Sequence, residues 1–359
     1  MSRWKHLDTD LLRQRYRAIR QEVGKLAGSS YDVTNKCNLR CEGCLYFSGD
    51  GNQDYQDRST YSDWDIFFRR EAARGVNFAY LAGAEPSLVP ERIEAAWHHI
   101  DRGVIFTNGT RRIDPHIGFR IHISSWGDAM QATRFRGADT LLKALENYAG
   151  DPRAVVIMTL NAQNLSQIGT VAQLCAAHGL GLSFSYFSPT TDYLNRLRQA
   201  DSPRDDYFRI SSAQSNLLMT RDTFKAARQT IASCLREYPE TVIYSLAYDD
   251  WVTRPEDLYT LDDNGVAVNC GNRLTPEFRH FSVKLKEHTG KCCSPNLSCT
   301  ECRAYAMGYA SFLTRHGGLR DPAWLRTWLD VWETWARLFL VEPVRHTPLG
   351  DRHKRDSVA

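Results

Sequence analysis

No run in this 359-residue sequence approaches the ~18 consecutive apolar residues that a membrane-spanning helix needs. The N-terminal stretch MSRWKHLDTDLLRQRYR is charged where a secretory signal would be apolar. These two absences predict a cytoplasmic protein without a transmembrane segment. A dominant charge is missing as well: 45 Lys and Arg face 42 Asp and Glu, and the formal net charge is +3. So balanced a chain sets up no strong field for nucleic acid or an anionic membrane, and no nucleic-acid partner is expected. Internal repeats and low-complexity segments are also lacking, so partners must be argued from individual sites.

What the chain does have is cysteine, ten in all. A reducing compartment keeps thiols free, so cysteine clusters there point to metals rather than disulfides. Cys37, Cys41 and Cys44 fall within eight residues, and Cys270, Cys292, Cys293, Cys299 and Cys302 crowd toward the C-terminus. Only Cys175 and Cys234 stand alone, in helical patterns that suit buried apolar fillers. Two metal sites are the simplest reading.

Hydrophobic periodicity gives an α/β chain. A helix is expected over roughly 8–26. Strands are expected over 31–36, 78–82, 104–107, 119–124, 155–160 and 182–187, and helices over 62–74, 91–100, 138–148, 165–178 and 221–237. Repeated βα units imply a parallel sheet with helices outside it. Six units are too few for a closed eight-stranded barrel, so the expected fold is a partial (β/α)6 barrel carrying a small cysteine-rich C-terminal module. The corresponding divisions are an N-terminal helical extension (1–29), the barrel (30–237), the cysteine module (238–320), a Trp-rich helix (321–345) and a tail (346–359). The polar stretch 188–216 reads as a long loop or lid.

The segment CNLRCEGC follows the first expected strand. A cubane cluster closed by thiolates needs four, and three leave one iron open for binding and electron transfer. A structural zinc site would need a fourth nearby Cys or His, and the nearest histidines, His6 and His98, are distant in sequence.

CxxxCxxC after the first strand resembles the hallmark of the radical S-adenosylmethionine (SAM) superfamily, and further segments follow in that family's order. AGAEPSL at 82–88 is similar to its GGEP segment and FTNGT at 106–110 to its third-strand ending. HISSWG at 122–127 and LNAQNLSQIGTVAQLCAAHGLGL at 160–182 are similar to its fourth and fifth strand regions. The resemblance covers residues 30–190. It implies a [4Fe-4S] cluster on Cys37, Cys41 and Cys44 whose open iron takes the amino and carboxylate groups of SAM. One electron, from a donor such as a flavodoxin or ferredoxin, then cleaves SAM to methionine and a 5′-deoxyadenosyl radical. That radical removes a substrate hydrogen in a shielded lumen. Position by position, it implies Gly83, Ala84 and Glu85 against the SAM amino group, Ser124 and Asn161 near its ribose or carboxylate, and Asn108 on the pocket wall. Two departures stand out: Ala84 replaces the second glycine of GGEP, and Gly43 sits where many members carry an aromatic against adenine. Tyr46 or Phe47 would then substitute for that ring.

GKCCSPNLSCTEC places four of the late cysteines in eleven residues. Cys299 and Cys302 form a tight pair that Cys270 with Cys292 or Cys293 would complete, either as a zinc knuckle or as a second cluster. The segment resembles the SPASM or twitch extensions, which carry auxiliary [4Fe-4S] clusters. The substrate class first expected is a small biosynthetic metabolite, with a peptide in second place. A non-catalytic iron-sulfur or zinc protein is the reading from another class. Along FRIHISSW, alternation sets Arg120, His122 and Ser124 on one face, which should look into the lumen, where a hydrogen-bonded histidine is expected. Trp324, Trp328, Trp332, Trp335 and Leu338 make an aromatic stripe on a helix begun by Asp321 and Pro322. Such a stripe packs a terminal helix onto the body or across a dimer interface, so an oligomer is possible.

Overall fold

The computed structural model describes residues 2–47, 55–199, 204–205, 207–271, 277–288, 296–315 and 321–341. Along the chain run α1 (Ser2–Val23), β1 (Gly28–Asp32), α2 (Tyr61–Ala73), β2 (Phe78–Ala82), α3 (Pro90–His99), β3 (Arg102–Thr107), β4 (Arg120–Ser125), α4 (Ala129–Arg136) and α5 (Leu141–Tyr148). They are followed by β5 (Ala154–Leu160), α6 (Ile168–Ala177), β6 (Gly181–Tyr186), α7 (Thr191–Arg198), α8 (Arg221–Glu237), α9 (Leu246–Val252), β7 (His280–Phe281), α10 (Tyr305–Leu313) and α11 (Pro322–Phe339). All pairings within the sheet are parallel, in the order β6-β5-β4-β3-β2-β1-β7. This is the expected α/β partial barrel of six βα units, with one strand added at its edge.

Local chemistry accounts for the elements. AVVIMTL in β5 is a β-branched run buried almost throughout, as a strand covered on both faces must be. On α5, Leu141, Ala144, Leu145 and Tyr148 recur at helical spacing and are all buried against the sheet. Thr60 and Asp63 form a capping box that starts α2. Asp321 accepts from the Ala323 amide and Pro322 follows it, which starts α11 where the sequence predicts.

Several elements differ from expectation. The first strand spans 28–32 rather than 31–36, because the chain leaves the sheet after Val33 and spends Thr34 O on the Ala84 amide (2.9 Å). The expected helix over 138–148 is preceded by a separate short helix, α4, with Asp128 capping the Gln131 amide. The stretch expected as a loop or lid contains α7, capped by Thr190, and its following segment is tied to the cysteine loop. The late segment also returns to the barrel: β7 pairs Ser30 with His280 and Tyr31 with Phe281.

The Trp stripe packs onto the body. Trp328, Trp335 and Leu338 are buried, with Trp335 against Phe78 and Trp328 against Tyr16 of α1. Arg15 of α1 grips Glu333 through Nε (2.8 Å) and Nη2 (2.9 Å), a fork geometry that fixes the two helices' relation. Residues 342–345 of the expected helix and the tail 346–359 lie outside the described residues. Cys175 and Cys234 are buried core fillers on α6 and α8, as the sequence suggests.

Candidate functional site

The loop after β1 brings Cys37, Cys41 and Cys44 to the C-terminal ends of the strands, where all three open onto one cavity of about 700 Å³. The loop is held from behind. Glu42, fully buried, accepts from the Arg209 amide (2.8 Å), the Ile210 amide (3.2 Å) and the Ser211 amide (3.2 Å), so the segment after α7 is fastened under the cysteines. The Gly43 amide donates to Tyr207 O (2.8 Å). Gly43 is left-handed, at φ 59°, and a Cβ there would meet Phe187 at 3.1 Å and Tyr193 at 3.2 Å. The ring missing before the third cysteine therefore has its place filled by Phe187, just after β6, and Tyr193 of α7, and Phe187, Tyr46 and Phe47 all line the cavity.

Burial pushes the Cys37 thiol up, and pushes Cys44 to about 12 with the adjacent Cys41 and Cys37 adding to it. Cys37 and Cys44 therefore keep their protons unless a positive centre displaces them. Their spacing argues against a single ion: among the described residues the only three His, Cys, Asp or Glu donors within 4.8 Å of one another are Asp65, His98 and His99 on the surface. A tetrahedral zinc would draw sulfurs to ~3.8 Å. A cluster binds each thiolate through a different iron and tolerates the wider set. The donors therefore fit a cluster with one iron left open.

Across the cavity, the GAEP turn depends on its first residue. Gly83 has φ 123°, and a Cβ would stand 2.6 Å from Thr34 O. Glu85 is buried and ties two strand ends together, accepting from Thr107 Oγ1 (2.6 Å), the Asn108 amide (2.7 Å) and the Ser87 amide (3.1 Å). Asn108 donates through Nδ2 to Asn38 Oδ1 (2.8 Å), and Asn38 donates to Thr110 Oγ1 (2.9 Å), which binds FTNGT to the cysteine loop. Gly83, Ala84, Glu85, Asn108 and Ser124 all line the cavity with the cysteines. Asn161 does not line it; it accepts from the Gln163 amide (2.9 Å) in a turn after β5. His122 is the hydrogen-bonded interior histidine expected, with Nδ1 at 2.6 Å from Tyr305 Oη and Nε2 at 2.8 Å from Leu338 O. Burial pushes it down to about 3, so its ring is neutral, donating to Leu338 O and accepting from the tyrosine.

No family model matches the sequence. The chain is 26% identical over 216 residues to the mycofactocin maturase MftC of Mycolicibacterium smegmatis, covering 54% of each protein. It is also 26% identical over 164 residues to the sporulation killing factor maturation protein SkfB of Bacillus subtilis, covering 41% of this chain and 39% of that one. It thus spans about half the length of these curated relatives or less. Streptococcus suis SuiB, solved with S-adenosylmethionine, shares the fold at a TM-score of 0.50 and 13% identity, over 75% of this chain and 63% of SuiB. The chain is thus similar in sequence to radical SAM maturases. Its motif order, parallel partial barrel and cysteine loop at the strand ends all agree with that placement.

Toward the other end of the chain, Cys270 and Cys302 are buried and Cys299 is partly so. Cys292 and Cys293 lie outside the described residues. Ser311 Oγ donates to Cys270 Sγ (3.7 Å), and the Cys302 amide donates to Cys299 O (3.4 Å). Tyr259 faces this group: its hydroxyl is pushed up by burial and then by Cys302 and Cys270. Cysteines more than thirty residues apart are thereby gathered behind one tyrosine, as a second metal centre requires. Sequence reasoning did not single out Glu42, Tyr305 or Phe187. The only trace of Glu42 is its place inside CNLRCEGC, and nothing in the local pattern marks the other two.

Proposed function

We propose that the chain is an enzyme that reductively cleaves SAM at a cluster on Cys37, Cys41 and Cys44 and modifies a peptide. Cys37, Cys41 and Cys44 would hold a four-iron cluster, which would supply the one electron that splits SAM into methionine and a 5′-deoxyadenosyl radical able to take a hydrogen atom from the peptide. The observation that carries this reading is the one cavity shared by three thiols and by Gly83, Ala84, Glu85, Asn108 and Ser124. The backbone of Gly83 and Ala84 would hold the SAM amino group, and the Ser124 hydroxyl its ribose or carboxylate. Glu85 and Asn108, whose hydrogen bonds are taken up within the protein, keep those strand ends in place.

A peptide takes precedence here over the small metabolite, because the curated relatives are maturases. The late cysteines are assigned to an auxiliary [4Fe-4S] cluster of the SPASM or twitch kind, with Cys270, Cys299 and Cys302 as ligands together with Cys292 or Cys293. The electron comes from a flavodoxin or ferredoxin in the cytoplasm, and no described helix is long and apolar enough to cross a membrane. The test is anaerobic incubation with SAM and dithionite, with and without a short peptide encoded beside the gene. The wild-type chain should release 5′-deoxyadenosine and change the peptide's mass. Release no greater than from a variant with Cys37, Cys41 and Cys44 all changed to Ala would sink the enzyme reading, and an unmodified peptide with abundant 5′-deoxyadenosine would sink the peptide.

A further inference from the structure

A second set of metal-ligand side chains lies away from the cavity, on the outer helices of the barrel. Asp65 of α2 and His98 and His99 of α3 bring one donor atom each to within 4.8 Å of one another, and none of the three lines the cavity. His98 and His99 are the last two residues of α3. Their imidazoles stack with centroids 4.7 Å apart and planes 3° from parallel, so both present a nitrogen to the same carboxylate oxygen. Asp65 Oδ1 stands 2.7 Å from His99 Nε2 and 3.7 Å from His98 Nδ1.

One oxygen therefore serves two rings and bonds only one of them, since 3.7 Å is beyond hydrogen-bond length. Each neutral imidazole keeps a lone pair on one nitrogen, and the carboxylate adds a negative charge, which together make a donor set that zinc accepts. A tetrahedral zinc with bonds of ~2.0–2.1 Å sets its donors ~3.3 Å apart. The two separations from Asp65 fall on either side of that value, and His98, with 59% of its side chain exposed, has room to swing inward. An ion can also reach the site, because Asp65 and His99 are only partly covered. Ferrous iron takes two histidines and a carboxylate too, but stands below zinc in affinity for such ligands.

We propose that Asp65, His98 and His99 form a zinc site, completed by water, that staples α2 to α3 on the outside of the barrel. The cation would sit at the C-terminal end of α3, where the helix dipole favours it. Its binding would release the proton that His99 shares with Asp65. Glu94, one turn before His98, is already taken by His116 (2.5 Å) and is not counted among the ligands. The staple would matter because α2 follows the cysteine loop and α3 follows the GAEP turn. Toward the N-terminal end of α3, Arg92 already joins these segments: its guanidinium lies over Trp64 of α2 (5.2 Å) and donates to Val33 O (2.6 Å) and to Asp57. The ion would fasten the opposite end of the same helix.

The site is separate from SAM chemistry, so its test needs no turnover. The full-length chain is used with its clusters reconstituted, so that the cysteines are occupied, under anaerobic conditions and without SAM. Zinc chloride is titrated by equilibrium dialysis, and zinc and iron per chain are measured together. The wild type should bind about one zinc more than His98→Ala at the same free zinc, with equal iron in both. His98→Ala should weaken that zinc by at least about a hundredfold, the upper end of what losing a ligand's outer partner costs, and Asp65→Asn should weaken it as well. His116→Ala, which alters only a neighbour, should bind zinc as the wild type does. Amide exchange through α2 and α3 should slow on adding zinc to the wild type and stay unchanged in His98→Ala, whose exposed side chain the fold does not need. Equal zinc uptake by the wild type and both ligand variants, or uptake that leaves exchange in the two helices unaltered, would overturn the proposal.

Discussion

Glu42 sets its carboxylate against three successive backbone N–H groups, those of Arg209, Ile210 and Ser211, while its neighbours Cys41 and Cys44 face the cavity. Glu42→Gln keeps one acceptor oxygen but turns an amide NH2 toward donors, leaving buried N–H groups unpaired at a cost of roughly 1–3 kcal/mol. Amide exchange at residues 209–211 should speed up and the purified chain should retain less iron; unchanged exchange would show the anchor to be unimportant. His122 gives a second test. Its ordinary value of 6.5 falls to about 3 in the folded chain, so below 6.5 the unfolded state binds the extra proton. Stability should drop as pH falls from about 6.5, by up to ~1.4 kcal/mol per pH unit for this one group. His122→Gln should be less stable at neutral pH yet show a shallower slope between pH 6 and 5, and an identical slope would disprove the assignment. The cysteines and GAEP were legible in sequence because their chemistry is carried by residue type and spacing. Glu42 was not, since its three partners lie some 170 residues away.

Helix α11 shows how an element can read correctly while its docking stays hidden. Five spaced apolar residues announce the stripe, but what receives the helix end is the polar face of β4. Arg120 donates through Nε to Leu338 O (3.0 Å) and through Nη2 to Arg337 O, and His122 donates to the same Leu338 O. A cation at helix C-terminal carbonyls is favourable both by hydrogen bonding and by the helix dipole. Arg120 was expected to face the lumen as a polar wall; it clamps the plug at the lumen's base instead. Arg120→Met should destabilise the fold by about 1.5–3 kcal/mol and raise amide exchange through the last turns of α11, with α2 unaffected. Equal exchange in α11 would assign the docking to the tryptophans alone. Strand positions were recovered within a few residues because alternation and β-branched runs are local signals. β7 was missed because two residues carry no period, and their pairing with β1 is decided by the whole intervening chain.

At the scale of the molecule, the late segment extends the sheet at its β1 edge, supplies Phe278 and His280 to the lumen, and gathers Cys270 and Cys302 behind Tyr259. Spacing announced a second metal centre but not that its segment also builds the cavity wall, since a sequence pattern says nothing of which edge a strand will join. The two proposed centres would be coupled only through the fold, because the first would use thiols from residues 37–44 alone. Reconstituted protein with two cubanes should hold about eight irons, and Cys299→Ala combined with Cys302→Ala should lower this to about four. A zinc knuckle would instead leave about four irons in both proteins, with zinc lost from the variant. The double variant should still release 5′-deoxyadenosine at a reduced rate, because Cys37, Cys41 and Cys44 and the wall facing them are untouched. Peptide modification should fall much further, since β7 and its lumen residues are held by the segment that the second centre organises. Metal analysis of both proteins, with separate assays of SAM cleavage and of peptide product, separates these outcomes, and full peptide turnover by the double variant would deny the second centre any part in the reaction.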